Sequence, residues 1–121
     1  YNRDNKLIKL IDPKGDQHSY LPSIYDIAKL SHSILGGYDY IINQKSTIEF
    51  DSNMQARSQI NISHKNISVF TKFLSDLHVD YRHVRLVEAS LFLSMLPLHI
   101  DDKRKVFLLA IRGIEILKNV R

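Results

Sequence analysis

The chain has 121 residues, of which 44% are hydrophobic and 25% charged, and it carries a formal net charge of +4. That composition is ordinary for one globular domain and argues against a disordered segment. Because the chain lacks cysteine and its longest apolar run, at residues 91–100, is short and interrupted, disulfides, thiolate metal sites and a membrane span are excluded.

The N-terminal residues predict a β-hairpin whose first strand lies upstream of Tyr1. Residues 6–11 have strand character, and the polar residues 2–5 before them are typical of a turn. Pro13 and Gly15 end the strand, because proline cannot donate to a ladder and glycine permits a turn. Since the first residue is not methionine, we interpret the chain as a processed product or as a piece of a longer protein. We expect no signal peptide and a cytoplasmic location.

A helix is predicted over residues 23–35. Ser23 and Asp26 stand in the spacing of a capping box, with aspartate in place of the usual glutamate. Gly36 and Gly37 provide a stop signal. The apolar positions at helical spacing are Ile27, Leu30 and Ile34.

Residues 38–63 predict two or three short strands. The segments 38–42, 47–51 and 58–62 have strand character, and the last two alternate apolar with polar residues. An alternative interpretation makes residues 51–57 a mobile loop.

Three helices are predicted in the remaining sequence. The first carries Ile67, Phe70, Leu74 and Leu77 on one face. The second follows a cap at Asp80, should be buried nearly all round, and ends at Pro97. We expect its Leu91, Leu93, Met95 and Leu96 to be largely buried. The third begins after a cap at Asp101 or Asp102, and its inward positions should be Val106, Leu109, Ala110, Gly113 and Leu117.

Asp12 is the candidate with the clearest chemistry. It ends the predicted strand, and a carboxylate held there suits a hard cation such as Mg²⁺, which binds a few carboxylates together with phosphate oxygens. The alternative is an aspartate that forms the turn before Pro13.

Several segments, taken in order, resemble a known family of kinases. They are Leu10-Ile11-Asp12-Pro13-Lys14-Gly15, Tyr25-Asp26-Ile27-Ala28-Lys29-Leu30, Gly37-Tyr38-Asp39 and Leu91-Phe92-Leu93-Ser94-Met95-Leu96-Pro97-Leu98-His99. The sequence is similar to the part of aminoglycoside-phosphotransferase and choline-kinase-like proteins that follows the catalytic loop, especially members linked to surface-polysaccharide or phosphocholine biosynthesis. The resemblance implies a single domain over residues 1–121. It would be mainly α with a small N-terminal β-hairpin, a partial protein-kinase-like C-lobe of the α+β class without the N-lobe and catalytic loop.

The resemblance also implies roles for two residues. Asp12 matches the second metal-binding position of the family, and Asp26 matches the helix aspartate that supports the catalytic loop. No catalytic residue lies in this chain, so alone it should be inactive. Mg²⁺, ATP and a small-molecule acceptor belong to the complete parent. The expected partners are the remainder of the kinase domain or a second copy joined through the strand edge at residues 6–11.

Two other functions are compatible with the sequence. One is a structural or interaction domain that keeps the kinase-like fold without catalysis. The other is a basic helical module that binds nucleic acid or another anion, suggested by the charge and by Lys103, Arg104 and Lys105. Because no recognition-helix pattern accompanies these residues, we expect no specific nucleic-acid binding.

Overall fold

Helices dominate the part of the chain that the structure describes, which is residues 23–120 of a computed structural model. In this range the helices are α1 (Ser23–Ile34), α2 (Tyr38–Ile42), α3 (His64–Asp76), α4 (Tyr81–Ser94) and α5 (Lys103–Val120), with a short 3₁₀ helix at Leu96–His99. The strands β1 (Thr47–Phe50) and β2 (Ala56–Gln59) form one antiparallel pair.

Helix α4 organises the core, because it packs against both α1 and α5. On the α5 side Phe92 lies in a buried cluster that also contains Ile41 of α2. On the α1 side Val84 lies in a second cluster with Ala28 and with Phe70 of α3. Each large apolar side chain buried in this way contributes about 1.5–3 kcal/mol, so these contacts rather than helix propensity hold the bundle together.

The predicted end of the first helix is confirmed. α1 stops at Ile34, and Gly37 has a φ of 76°, which reverses the chain in a conformation that favours glycine. A Cβ atom at Gly37 would lie 2.5 Å from the Cγ2 atom of Ile60. Glycine is therefore required here both by backbone conformation and by space.

The predicted strand at residues 38–42 is wrong, because these residues form α2. The turn at Gly37 redirects the chain, and Ile41 is then buried against α4 and α5. Tyrosine and isoleucine favour strands only when a neighbouring strand and a half-buried face are present, and the core contact of Ile41 outweighs that preference.

The central hairpin was predicted in part. β1 agrees with the predicted segment 47–51. β2 begins two residues before the predicted segment 58–62 and overlaps it only at residues 58–59, and its Gln59 pairs with Thr47. Asp51 closes the turn, since its Oδ1 atom accepts hydrogen bonds from the backbone of Asn53 and Gln55 at 2.9 and 3.0 Å. The two hydrogen bonds lower the pKa of Asp51, and the bond from Gln55 has the larger effect. The segment proposed as a loop is thus a closed turn followed by the first residues of β2.

The predicted burial of the last two helices needs correction. α4 is helical and follows an Asp80 cap as predicted, but Leu86 and Leu93 are 46% and 37% exposed. Within residues 23–120 its main helical neighbours are α1 and α5, so two faces are covered and the others are open. Met95 and Leu96 are only partly buried. Leu117 of α5 is also exposed, while Leu109 and Gly113 face inward as predicted.

The described chain is therefore mainly helical with one small two-stranded antiparallel sheet. The hairpin predicted around residues 6–11 lies outside the described residues, and the hairpin at 47–59 is a different one. None of the described helices is long and apolar enough to cross a membrane.

Candidate functional site

Of the two site residues predicted from the sequence, the structure describes only Asp26. Asp12 lies outside the described residues, while Asp26 lies in the first turn of α1. A carboxylate is favoured there by the partial positive charge of a helix N-terminus. Among residues 23–120 no group of three or more histidine, aspartate or glutamate side chains could hold a metal ion.

A buried polar cluster joins α1 to α4. Glu88 is fully buried and accepts a hydrogen bond from the Ser31 hydroxyl. Arg85, 8% exposed, donates from Nη1 to both Glu88 carboxylate oxygens at 2.8 and 2.7 Å. Burial raises the pKa of Glu88, and the charge of Arg85 and the Ser31 bond act against that rise. The cluster thus places a paired charge in the core.

The chain passes very close to this cluster at Gly36. A Cβ atom there would lie 2.6 Å from both Oε1 of Glu88 and the ring of Phe92. Any larger residue would have to displace the buried carboxylate or the core ring. Gly36 therefore permits the end of α1 to approach α4.

Arg112 of α5 donates hydrogen bonds to the backbone carbonyls at the C-terminal end of α1. Its Nε atom donates to the carbonyl of Gly36 at 2.8 Å, and its Nη2 atom donates to the carbonyl of Leu35 at 3.0 Å. Its Nη1 atom contacts Glu115 at 3.2 Å. The last carbonyls of a helix lack partners within the helix, so a cation from another helix supplies them here.

A cleft runs beside these groups, and we call it the arginine cleft. Its volume is about 310 Å³, and its lining residues are Leu35, Ile60, Asn61, Ile62, Ile67, Tyr81, Arg85 and Arg112. A second cleft of about 310 Å³ shares Tyr81 and Arg85 with it and adds Arg82, Asn119 and Val120. Among the described residues, two guanidinium groups and no carboxylate line the arginine cleft.

A third group of side chains surrounds His32. The imidazole is 5% exposed, and its ring centre lies 4.4 Å from that of Tyr38 and 4.1 Å from that of Phe92. Its Nε2 atom is buried and has no hydrogen-bond partner within the described chain. Burial, with a smaller effect of Lys29, lowers the pKa of His32 to about 4. The Tyr38 hydroxyl lies 3.4 Å from Nε2 of His99.

Sequence reasoning missed the buried cluster. Glu88 and Arg85 belong to no motif, and their importance comes from α1 and α5, which cover them. One pattern could have indicated the pair, namely an arginine and a glutamate three positions apart among apolar helix residues.

Comparison of the chain with protein-family models, curated proteins and solved structures finds no match.

Proposed function

We propose that this chain is the C-terminal helical part of an ATP-dependent phosphotransferase that acts on a small hydroxylated molecule, possessing a kinase-like C-lobe. Asp12 binds Mg²⁺ there, and Asp26 supports the catalytic loop. The acceptor belongs to the chemistry of surface-polysaccharide or phosphocholine pathways. The chain supplies no catalytic base and is inactive without the remainder of the kinase domain.

The observation that carries the proposal is the position of Asp26. The resemblance requires a helix to begin shortly after the Asp12 segment and to present an aspartate near its start. α1 begins at Ser23 and has Asp26 in its first turn. The helices that follow are in keeping with the mainly helical second half of a kinase C-lobe.

The proposal is tested by phosphotransfer from ATP with Mg²⁺ to choline, ethanolamine and an aminoglycoside, with ATP hydrolysis as a second readout. The samples are this chain, the complete protein that contains it, and the complete protein with Asp12→Asn. We expect turnover by the complete protein and none by the chain. Loss of a metal ligand removes several kcal/mol of charge stabilisation, so Asp12→Asn should lower turnover by about two to three orders of magnitude.

The matched control is Asp16→Asn, the same substitution four positions further along, which should leave turnover close to that of the complete protein. Turnover by the isolated chain would contradict the proposal, and so would a fully active Asp12→Asn protein. A folded complete protein that neither binds nor hydrolyses ATP would favour the non-catalytic domain instead.

A further inference from the structure

We propose that the arginine cleft binds the phosphate group of a small phosphate monoester with a short apolar body. This inference does not rest on the proposed function, because it uses neither Asp12 nor ATP. It rests on the unused donors of Arg85, on the charge around the cleft and on the character of its walls.

Arg85 has donors to spare at the edge of the cleft. A guanidinium carries five N–H groups. Both hydrogen bonds that Arg85 donates within residues 23–120 come from Nη1 and go to Glu88. Within residues 23–120 its Nε and Nη2 atoms have no acceptor, although the side chain is only 10% exposed and lines both clefts. Donors recessed in this way bind an oxyanion more strongly than surface donors do, because little water competes.

The charges near the cleft favour an anion. Arg82, Arg85 and Arg112 are accompanied by two carboxylates, Glu88 and Glu115, so positive charge is in excess. Neither carboxylate is among the described residues that line the cleft, although Glu88 is paired with Arg85 and Glu115 with Arg112. Guanidinium groups are weakly hydrated, and their planar fork matches the geometry of a phosphate.

The walls of the cleft determine the rest of the ligand. Its volume of about 310 Å³ is at the small end of ligand sites, which are roughly 300–1,000 Å³. Ile60 and Ile62 give it an apolar side, and Tyr81 and Asn61 add polar groups. A short aliphatic body therefore fits better than a nucleotide.

The test is titration calorimetry of this chain in a chloride buffer of low ionic strength with butyl phosphate, inorganic phosphate and butyrate. We expect butyl phosphate to bind tightest, because it alone combines a phosphate group for the unused donors of Arg85 with an apolar body for the wall formed by Ile60 and Ile62. Equal affinity for all three probes, or a preference for butyrate, would overturn the assignment, as would no binding at millimolar concentration.

Two variants locate the site. Arg85→Lys retains a cation for Glu88 but loses the planar fork of the guanidinium, and it should weaken butyl phosphate binding at least tenfold. Arg57→Lys, on a side chain that is 67% exposed in the hairpin, is its control and should leave the affinity unchanged.

Asn61→Glu places a negative charge, like that of the phosphate, at an exposed position on the cleft edge, which keeps the test valid if Arg85→Lys fails to fold. It should abolish binding, whereas Asn53→Glu in the exposed turn should not, and unchanged binding by Asn61→Glu would refute the proposal.

Discussion

His32 occupies an environment that suits a neutral ring far better than a charged one. Its ring packs between those of Tyr38 and Phe92 at tilts of 31° and 53°, and its buried Nε2 atom has no hydrogen-bond partner in residues 23–120. Its pKa falls from 6.5 to about 4 because burial disfavours the charged imidazole. The unfolded chain therefore takes up a proton below about pH 6.5, whereas the folded chain does so only below about pH 4. Stability contributed by the neutral ring is complete above this window and is lost as the pH falls through it.

Replacing His32 with phenylalanine should remove this acid sensitivity. Between pH 7.5 and 4.5, proton uptake by His32 in the unfolded chain lowers the free energy of unfolding by about 2 kcal/mol. The His32→Phe variant lacks this group, so its free energy of unfolding should fall by about 2 kcal/mol less over the same pH range. The raised pKa of Glu88 acts in the opposite direction in both proteins, so it cancels in the difference. The measurement is urea unfolding at the two pH values.

The control for this experiment is His64→Phe, which changes an exposed histidine in the first turn of α3. It should lose as much stability on acidification as the unaltered chain. Parallel pH curves for the unaltered chain and His32→Phe would show that His32 is not the responsible group.

The elements divide into those set by local chemistry and those set by distant contacts. Apolar spacing and the caps Asp80 and Asp102 were enough to predict α1, α3, α4 and α5. Each cap accepts a hydrogen bond from a backbone amide two residues further along, so its effect is visible in the local sequence. α2 could not be predicted in this way, because Ile41 becomes helical through contacts with residues far along the chain. The buried pair of Arg85 and Glu88 was missed for the same reason, since only packing by neighbouring helices makes it buried.

The N-terminus of α5 offers a test of such a local device. Asp102 Oδ1 accepts hydrogen bonds from the backbone of Arg104 and Lys105 at 3.1 Å each. Asp102→Ala should cost about 1 kcal/mol of unfolding free energy, or roughly 4 °C in Tm, since the two amides would lose their partner. Thermal unfolding followed by circular dichroism measures the change.

The neighbouring Asp101→Ala is the matched control, because Asp101 is exposed and does not form the recorded cap. It should be nearly neutral. Equal effects of the two substitutions would mean that general charge near the helix end, and not the cap, stabilises α5.

At the scale of the whole molecule, the buried ion pair of Arg85 and Glu88 lies where α1 and α4 meet. Arg85→Met should destabilise the chain by about 3–5 kcal/mol, because Glu88 would remain as an unpaired charge in the core. The double variant Arg85→Met/Glu88→Met should recover most of that loss, since apolar groups of similar size replace the pair. Ser31 can then bond to a carbonyl of its own helix. Denaturant unfolding of the three proteins gives the comparison.

The surface pair of Lys72 and Asp76, whose side chains are 75% and 62% exposed, is the control for this comparison. Lys72→Met should change stability by no more than about 0.5 kcal/mol. A double variant as unstable as Arg85→Met would mean that the lost volume or packing, and not the unpaired charge, explains the effect.

The contact of Arg112 with the end of α1 has a consequence for the order in which the chain is made. The guanidinium that caps these carbonyls comes 76 and 77 residues after them. During synthesis α1 emerges before α5, so the carbonyls of Leu35 and Gly36 lack the hydrogen bonds from Arg112 until α5 has been made. Until then the core lacks Leu108, Leu109 and Ile116, so Phe92 has no cover on that side. A nascent chain that stops before α5 would thus expose one face of α4 at the ribosome, where chaperones bind apolar surface.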